Sequence, residues 1–361
     1  MHATRTFGRA KTGQPASLHR YTDTDGCGFA LTDYGAALVS LVVPDQAGRP
    51  VDVLLGFDDV SGYEGHNGCA GAVCGRVVNR IRHGVFTLSG TTYRLAINDA
   101  AHHLHGGLTG FDKRFWRVTP LPDGYLAALE SAHMEEGYPG RLAITVAYRW
   151  LAPKGLAITY RATADRETVC SLSNHAYFNL NGPGGASLEQ TLRLFADVYT
   201  PHAPDGVPSG ELRPVHGPYD IRQATRLSDL VASTDEDVRA WQGIDHNFVI
   251  PDFHANNPAL RRAAVLHGPA TGISMTVFTT SPGIHVYTGN FIDNWHGKNG
   301  RIYNQHDGIA LETQYYPNAV NEPAFPSPVL KAGARQVHTT IFSFASEADL
   351  ETQPLVEQQF V

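Results

Sequence analysis

The chain of 361 residues carries a formal net charge of -7, with charged residues at 17% and hydrophobic residues at 42%. Without a long basic run, nucleic acid and anionic membrane surfaces are excluded as expected partners, and a neutral small molecule fits better. No stretch approaches the roughly 20 apolar residues that span a membrane, and the start MHATRTFGRAKTG lacks the apolar segment of a signal peptide. The cytoplasm is therefore the expected location; a periplasmic or secreted form with its signal removed would read the same way.

With 36 Gly and 22 Pro, the composition suits many strands joined by turns. Strand patterns follow one another along the chain: ALVSLVV (37–43), VDVLL (51–55), FWRVT (115–119) and YLAALES (125–131). The clearest is LAITVAYRW (142–150), where Leu142, Ile144, Val146, Tyr148 and Trp150 share one parity. LAITYRA (156–162) repeats the pattern after a PKG turn and reads as its hairpin partner. TVCSLSNHAYF (168–178) reads as a strand with one buried face, followed by DHNFVI (245–250) and ISMTVFT (273–279). The best helical candidate, RLSDLVASTDEDVRAW (226–241), is interrupted by a Ser-Thr-Asp-Glu-Asp patch. Segments 200–220 and 314–328 read as proline-rich loops. No composition shift divides the chain, so one antiparallel β domain over residues 1–361, a sandwich of large sheets, is expected. Cys27, Cys69, Cys74 and Cys170 are too sparse for a disulfide framework and read as reduced thiols; a Cys69–Cys74 bridge is the alternative in an oxidising compartment.

Five stretches carry more polar groups than a sheet needs: GRVVNRI (75–81), HHLHGG (102–107), SNHAYFNL (173–180), GIDHNFVI (243–250) and LETQYYPNAVN (311–321). Arg76 and Arg80 would share a face on either a helix or a strand, although lone arginines are usually just solvated. His103 and His105 would share a strand face, as metal ligands do, but no carboxylate nearby completes a site and Gly106-Gly107 ends the segment. His175 lies beside Asn174, Tyr177 and Phe178, which suits either a hydrogen-bonded core histidine or a sugar site with stacking rings. Asp245 and His246 would face opposite sides of a strand, so one enters a cleft. Glu312 shares parity with Ala310 between apolar neighbours, so partial desolvation would raise its pKa towards that of a useful base. Nucleophile elbows, Walker A loops and dinucleotide fingerprints are missing. One His and one Glu on strands, with a shell of His, Asp, Asn and Arg, suit acid–base work on a neutral polyol without metal or cofactor.

In type, order and spacing, GRVVNRI, LHGG, SNHAYFNL, DHNF, YTGNF and LETQ resemble the aldose 1-epimerases, the galactose mutarotases, over most of the chain. The resemblance implies a galactose mutarotase-like all-β supersandwich acting on a free aldohexose such as galactose or glucose, as monomer or homodimer. It also implies roles. Glu312 matches the general base at the C1 hydroxyl, and His175 the general acid at the ring oxygen. His105, Asn79, Arg80 and Asp245 match sugar-binding residues. His285 stands where the family often has Gln, Asn318 where it has Asp, and His102-His103 replace a commoner Asn-Ser type pair; these departures bear on the preferred sugar. A binding or sensing module of the same fold is one alternative. A hexose-6-phosphate epimerase is another, and it would need the Arg76, Arg80 and Arg82 group to hold phosphate.

Overall fold

The computed structural model describes residues 1–344 apart from 66–67, 153 and 256–258. The last part of the expected domain, 345–361, and Pro153 of the PKG turn lie outside the described residues. Where patterning is strongest, the structure follows it. The strand Leu142–Leu151 buries Leu142, Ile144, Val146, Tyr148 and Trp150, and Gly155–Ala164 pairs with it along its whole length. These two are the middle of a nine-stranded sheet with the order 117–121, 124–131, 142–151, 155–164, 335–343, 273–279, 261–268, 191–194 and 225–226. Its strand pairs are all antiparallel.

A six-stranded antiparallel sheet packs against it, in the order Tyr177–Phe178, Ile309–Gln314, Gly283–Tyr287, Asp245–Val249, Val198–Thr200 and Arg213–Pro214. Because side chains alternate along a strand, each of its strands sends one set into the core and one set away from it. Ile309, Leu311, Ile284, Val286 and Phe248 join Tyr148, Ile158 and Phe342 in the main core. Phe178 meets Phe342 with ring centroids 4.9 Å apart. Burying one such side chain contributes on the order of 2 kcal/mol. The opposite face carries Ala310, Glu312, Gln314, Tyr287, His285, Gly283, Asp245 and Asn247, and forms the floor of the site. A five-stranded sheet over residues 2–52 adds Phe29, Leu31, Leu41 and Val43 to the main core.

Two expected elements differ. The segment 168–178 is not one strand with one buried face: it is broken into Thr168–Val169, Ser173–Asn174 and Tyr177–Phe178, and all of these residues are buried. Both sides pack, so the alternation of residue types does not mark an exposed face. The helical candidate is two short helices, Leu227–Val231 and Glu236–Ala240, because Asp235 caps the second with its carboxylate and stops the first from continuing. No disulfide joins the cysteines among the described residues, so Cys69 and Cys74 are not bridged. No helix among the described residues is long and apolar enough to cross a membrane.

Candidate active site

The floor strands open onto a cleft of about 520 Å³ lined by Asn79, Arg80, His105, His175, Asp245, His285 and Glu312, with Tyr177, Tyr287, Trp241, Phe291 and Trp295 as its aromatic walls. All seven residues singled out in the sequence therefore meet in one place.

Glu312 projects from Ile309–Gln314 directly opposite His285 on the neighbouring strand. Its side chain is 2% exposed, and its Oε1 lies 3.5 Å from Nε2 of His175. Burial pushes the Glu312 carboxyl well above the usual range; the Asp245 charge adds to this and Arg80 partly opposes it. The same burial pulls His175 down to about 4. Both groups thus favour their neutral forms, and the pair shares one proton across the ordinary pH range. His175 is held by its backbone, its N–H donating to Ala72 O at 3.0 Å and its carbonyl accepting from Gly71 at 2.9 Å.

His105 reaches the cleft by a left-handed turn. His103 and Leu104 pair with Ile81 and Arg80, and then His105 (φ 49°) and Asn79 (φ 64°) turn towards each other. His105 N–H donates to Asn79 O at 3.2 Å, while Asn79 N–H donates to Nδ1 of His105 at 3.3 Å. With Nδ1 accepting, Nε2 carries the proton and is the free donor. Burial, with His175 and Arg80 nearby, keeps this imidazole well below its normal pKa and so neutral.

Asp245 is the fixed negative charge. Burial opposes its ionisation, but the hydrogen bond from His285 and the charge of Arg80 overcome it and hold the carboxyl well below its usual value. His285 Nε2 donates to Asp245 Oδ1 at 2.7 Å, and Arg80 lies 3.8 Å from Oδ2. Arg80 is oriented by Asp99 at 2.7 Å and by the face of Trp241, 5.0 Å from the ring centroid. Tyr177 donates to Gly68 O at 3.0 Å and stands edge-on to Trp295, turning its ring into the cleft wall; its neighbour Phe178 belongs to the core instead.

Other expectations change. His103 and His105 do not share a face: His103 is buried, bonded to Tyr138 O–H at 2.7 Å and Ala96 O at 2.8 Å, because the chain reverses at His105. His102 is also outside the cleft, its Nδ1 accepting from His83 N–H. Asn318 adopts φ 60° and accepts from Arg82 N–H, a structural turn that is not part of the cleft lining. The Arg group is not a phosphate cradle. Arg76 is buried and donates to the carbonyls of Pro139 and Gly140, Arg82 pairs with Asp205, and only Arg80 enters the cleft.

Trp241, Phe291 and Asp99 were not legible as site residues; Trp241 had one signal, an aromatic ring closing the polar 226–241 segment. A network behind the floor was also not visible. His246 faces away from the cleft, as its parity requires, and His202 and His246 stack at 4.1 Å while binding the two oxygens of Asp237 at 3.3 and 2.8 Å. His246 Nδ1 accepts from Asp245 N–H, so its Nε2 carries a proton to Asp237 and offers no lone pair to a metal.

Comparison with known proteins bears on the chain as a whole. A family model described as aldose 1-epimerase matches residues 18–343. A galactose mutarotase of Sus scrofa is 40% identical over 94% of this chain and 97% of its own length. An aldose 1-epimerase of Escherichia coli (strain K12) is 33% identical over 94% and 98%. Among solved structures, an aldose epimerase homologue from C. elegans superposes with a TM-score of 0.82 at 26% identity, covering 95% of this chain and 99% of that one. A galactose 1-epimerase from Lactobacillus acidophilus gives 0.81 at 24% identity, covering 96% and 98%, and so supports the fold alone.

Proposed function

The chain belongs to the aldose 1-epimerase family, and from that membership we propose that Glu312 and His175 are the proton-transfer pair of its cleft. The protein is an isomerase that interconverts the α and β anomers of free hexoses. One observation carries the assignment: a buried carboxylate and a buried imidazole stand 3.5 Å apart at the base of an open, ring-lined cleft.

In the productive arrangement the shared proton is on His175 and Glu312 is a carboxylate. Glu312 takes the proton from O1–H, the C1–O5 bond breaks as C1=O1 forms, and His175 gives its proton to O5. The pair is then neutral on both sides, the state that burial favours, so desolvation helps the ring-opened species form. Rotation about C1–C2 turns the other carbonyl face to O5. Reclosure returns the proton of O5 to His175 and that of Glu312 to O1. The two protons account for every bond changed, and the scheme calls on no metal or cofactor. His105, as a neutral donor, and the Asp245–His285–Arg80 group bind hydroxyls; Asn79 sets His105. We further propose a monomer or homodimer working in the cytoplasm; it would have no nucleic-acid partners, and the net charge of -7 supports that last point.

The test is polarimetry on freshly dissolved α-D-galactose and α-D-glucose, repeated after EDTA. We expect acceleration that EDTA leaves unchanged, and a loss of about 10²–10⁴-fold in Glu312→Gln and His175→Asn with the fold intact. Wild-type rates in both variants would refute the roles. Sugar binding without turnover would make the chain a binding module.

A further inference from the structure

The cleft floor continues one step deeper than the reacting groups. Residues directly opposite one another on antiparallel strands share a face. His285 is opposite both Glu312 and Asn247, and Gly283 is opposite Gln314. Gln314 is two residues beyond Glu312 and so lies on the same face. Glu312, His285, Asn247 and Gln314 are each only 1% exposed. Yet Glu312 Oε2, His285 Nδ1, Asn247 Oδ1 and both amide atoms of Gln314 have no hydrogen-bond partner among the described residues. Gly283 makes the arrangement fit: a Cβ there would come within 2.6 Å of Asn247 Oδ1 and 2.9 Å of the Tyr316 ring, so the Asn247 amide and that ring both lie over this glycine, which is opposite Gln314 in the sheet. Asn247 Nδ2 is directed to Thr200 Oγ1 at 3.5 Å, which leaves its oxygen for this row.

Buried polar atoms that find no protein partner are satisfied by ordered water, each water making about three bonds. A dry row would leave five such atoms unpaired beneath a carboxylate that must ionise. We propose that Gln314 and Asn247 are positioning residues that hold buried water against the inner oxygen of Glu312 and so keep it able to act as a base, an inference that rests on the proton-transfer roles given above. Water anchored by the two amides donates to Oε2 of Glu312 while Oε1 is left for the sugar and His175.

The charged or titrating groups facing Glu312 are His175, His285, Asp245 and Arg80. Tyr160, Tyr177, Tyr287 and Cys74 also lie near it, but burial holds all four well above their normal values and they stay neutral. Removing the donated bond therefore acts on the shared proton alone. It favours the arrangement with that proton on Glu312 and makes the productive one rarer. The kcat plateau should fall by the same factor by which the alkaline limb moves up, tenfold for about one pH unit.

The experiment is the pH profile of galactose mutarotation for the full chain and for Gln314→Met, which keeps the volume and removes the amide. We expect kcat near neutrality to fall about tenfold with KM within about twofold, the alkaline limb to move up by about one unit, and the two profiles to converge at high pH. Asn247→Ala removes one anchor, should show the same pattern at smaller amplitude, and carries the test if Gln314→Met does not fold. A lower plateau with the limb unmoved, or no change in either variant, overturns the inference. A wild-type chain without mutarotation overturns the proposed function instead.

Discussion

His285 is used in a way that a glutamine cannot copy. Its Nε2 is committed to Asp245 at 2.7 Å, and burial lowers its pKa against the pull of that carboxylate, so the ring is neutral and Nδ1 is a pure acceptor. A glutamine amide brings both a donor and an acceptor to the same place. His285→Gln should therefore change which hydroxyl pattern is favoured while leaving Glu312 and His175 in place. The expected result is a shift of about fivefold in the galactose-to-glucose ratio of kcat/KM, the worth of roughly one neutral hydrogen bond. An unchanged ratio would show that His285 sets the Asp245 charge and has no direct part in sugar choice.

At the level of elements, the cleft depends on turns as much as on strands. His105 enters it only because Gly106 and Gly107 take φ 90° and 109° immediately after it. A Cβ on Gly106 would sit 1.8 Å from the carbonyl oxygen of Gly75, in a backbone region that side chains avoid. Gly106→Ala should lower stability by more than about 1 kcal/mol in urea titration and reduce mutarotation by displacing His105. Retention of both would mean that the turn relaxes without moving the imidazole. This dependence marks what could be read from residues alone. The 142–164 hairpin was legible because one face of each strand is uniformly apolar, and Glu312 was legible because parity set it apart from its apolar neighbours; parity left Asp245 and His246 as alternatives, and the family resemblance singled out Asp245. His103 and His105 misled because parity holds only while the chain stays extended. The 168–178 segment misled because both of its faces are packed, which leaves the pattern no solvent side to report. Trp241 and Asp99 come from loops whose approach to Arg80 is a tertiary event with no local signature.

Across the molecule, burial of neutral histidines ties stability to acidity. His175 in the cleft, His246 behind it and His338 on the Arg335–Ser343 strand are each pulled from 6.5 to about 4, with desolvation the leading cause. Both ring nitrogens of His338 lack a hydrogen-bond partner among the described residues, and Tyr315 packs edge-on against it with ring centroids 5.2 Å apart. A lowered folded pKa means that the unfolded chain binds the proton first. The stabilisation is thus complete above about 6.5 and is lost as pH falls towards about 4. Glu312 acts in the opposite sense, since its raised carboxyl binds a proton in the folded state before the unfolded one. His105, lowered, and Asp112, raised, pull in opposite directions. The lowered histidines outnumber the raised carboxyls, so the net effect is a loss of stability as pH falls below about 6.5. Urea midpoints measured from about pH 7 down to about pH 5 should fall steadily, and His338→Phe, which removes one of the three histidines and fills a ring-lined site, should flatten that decline. A midpoint that holds constant over this range, or a slope that His338→Phe leaves unchanged, would mean that the buried imidazoles take up protons in the folded state as readily as in the unfolded chain.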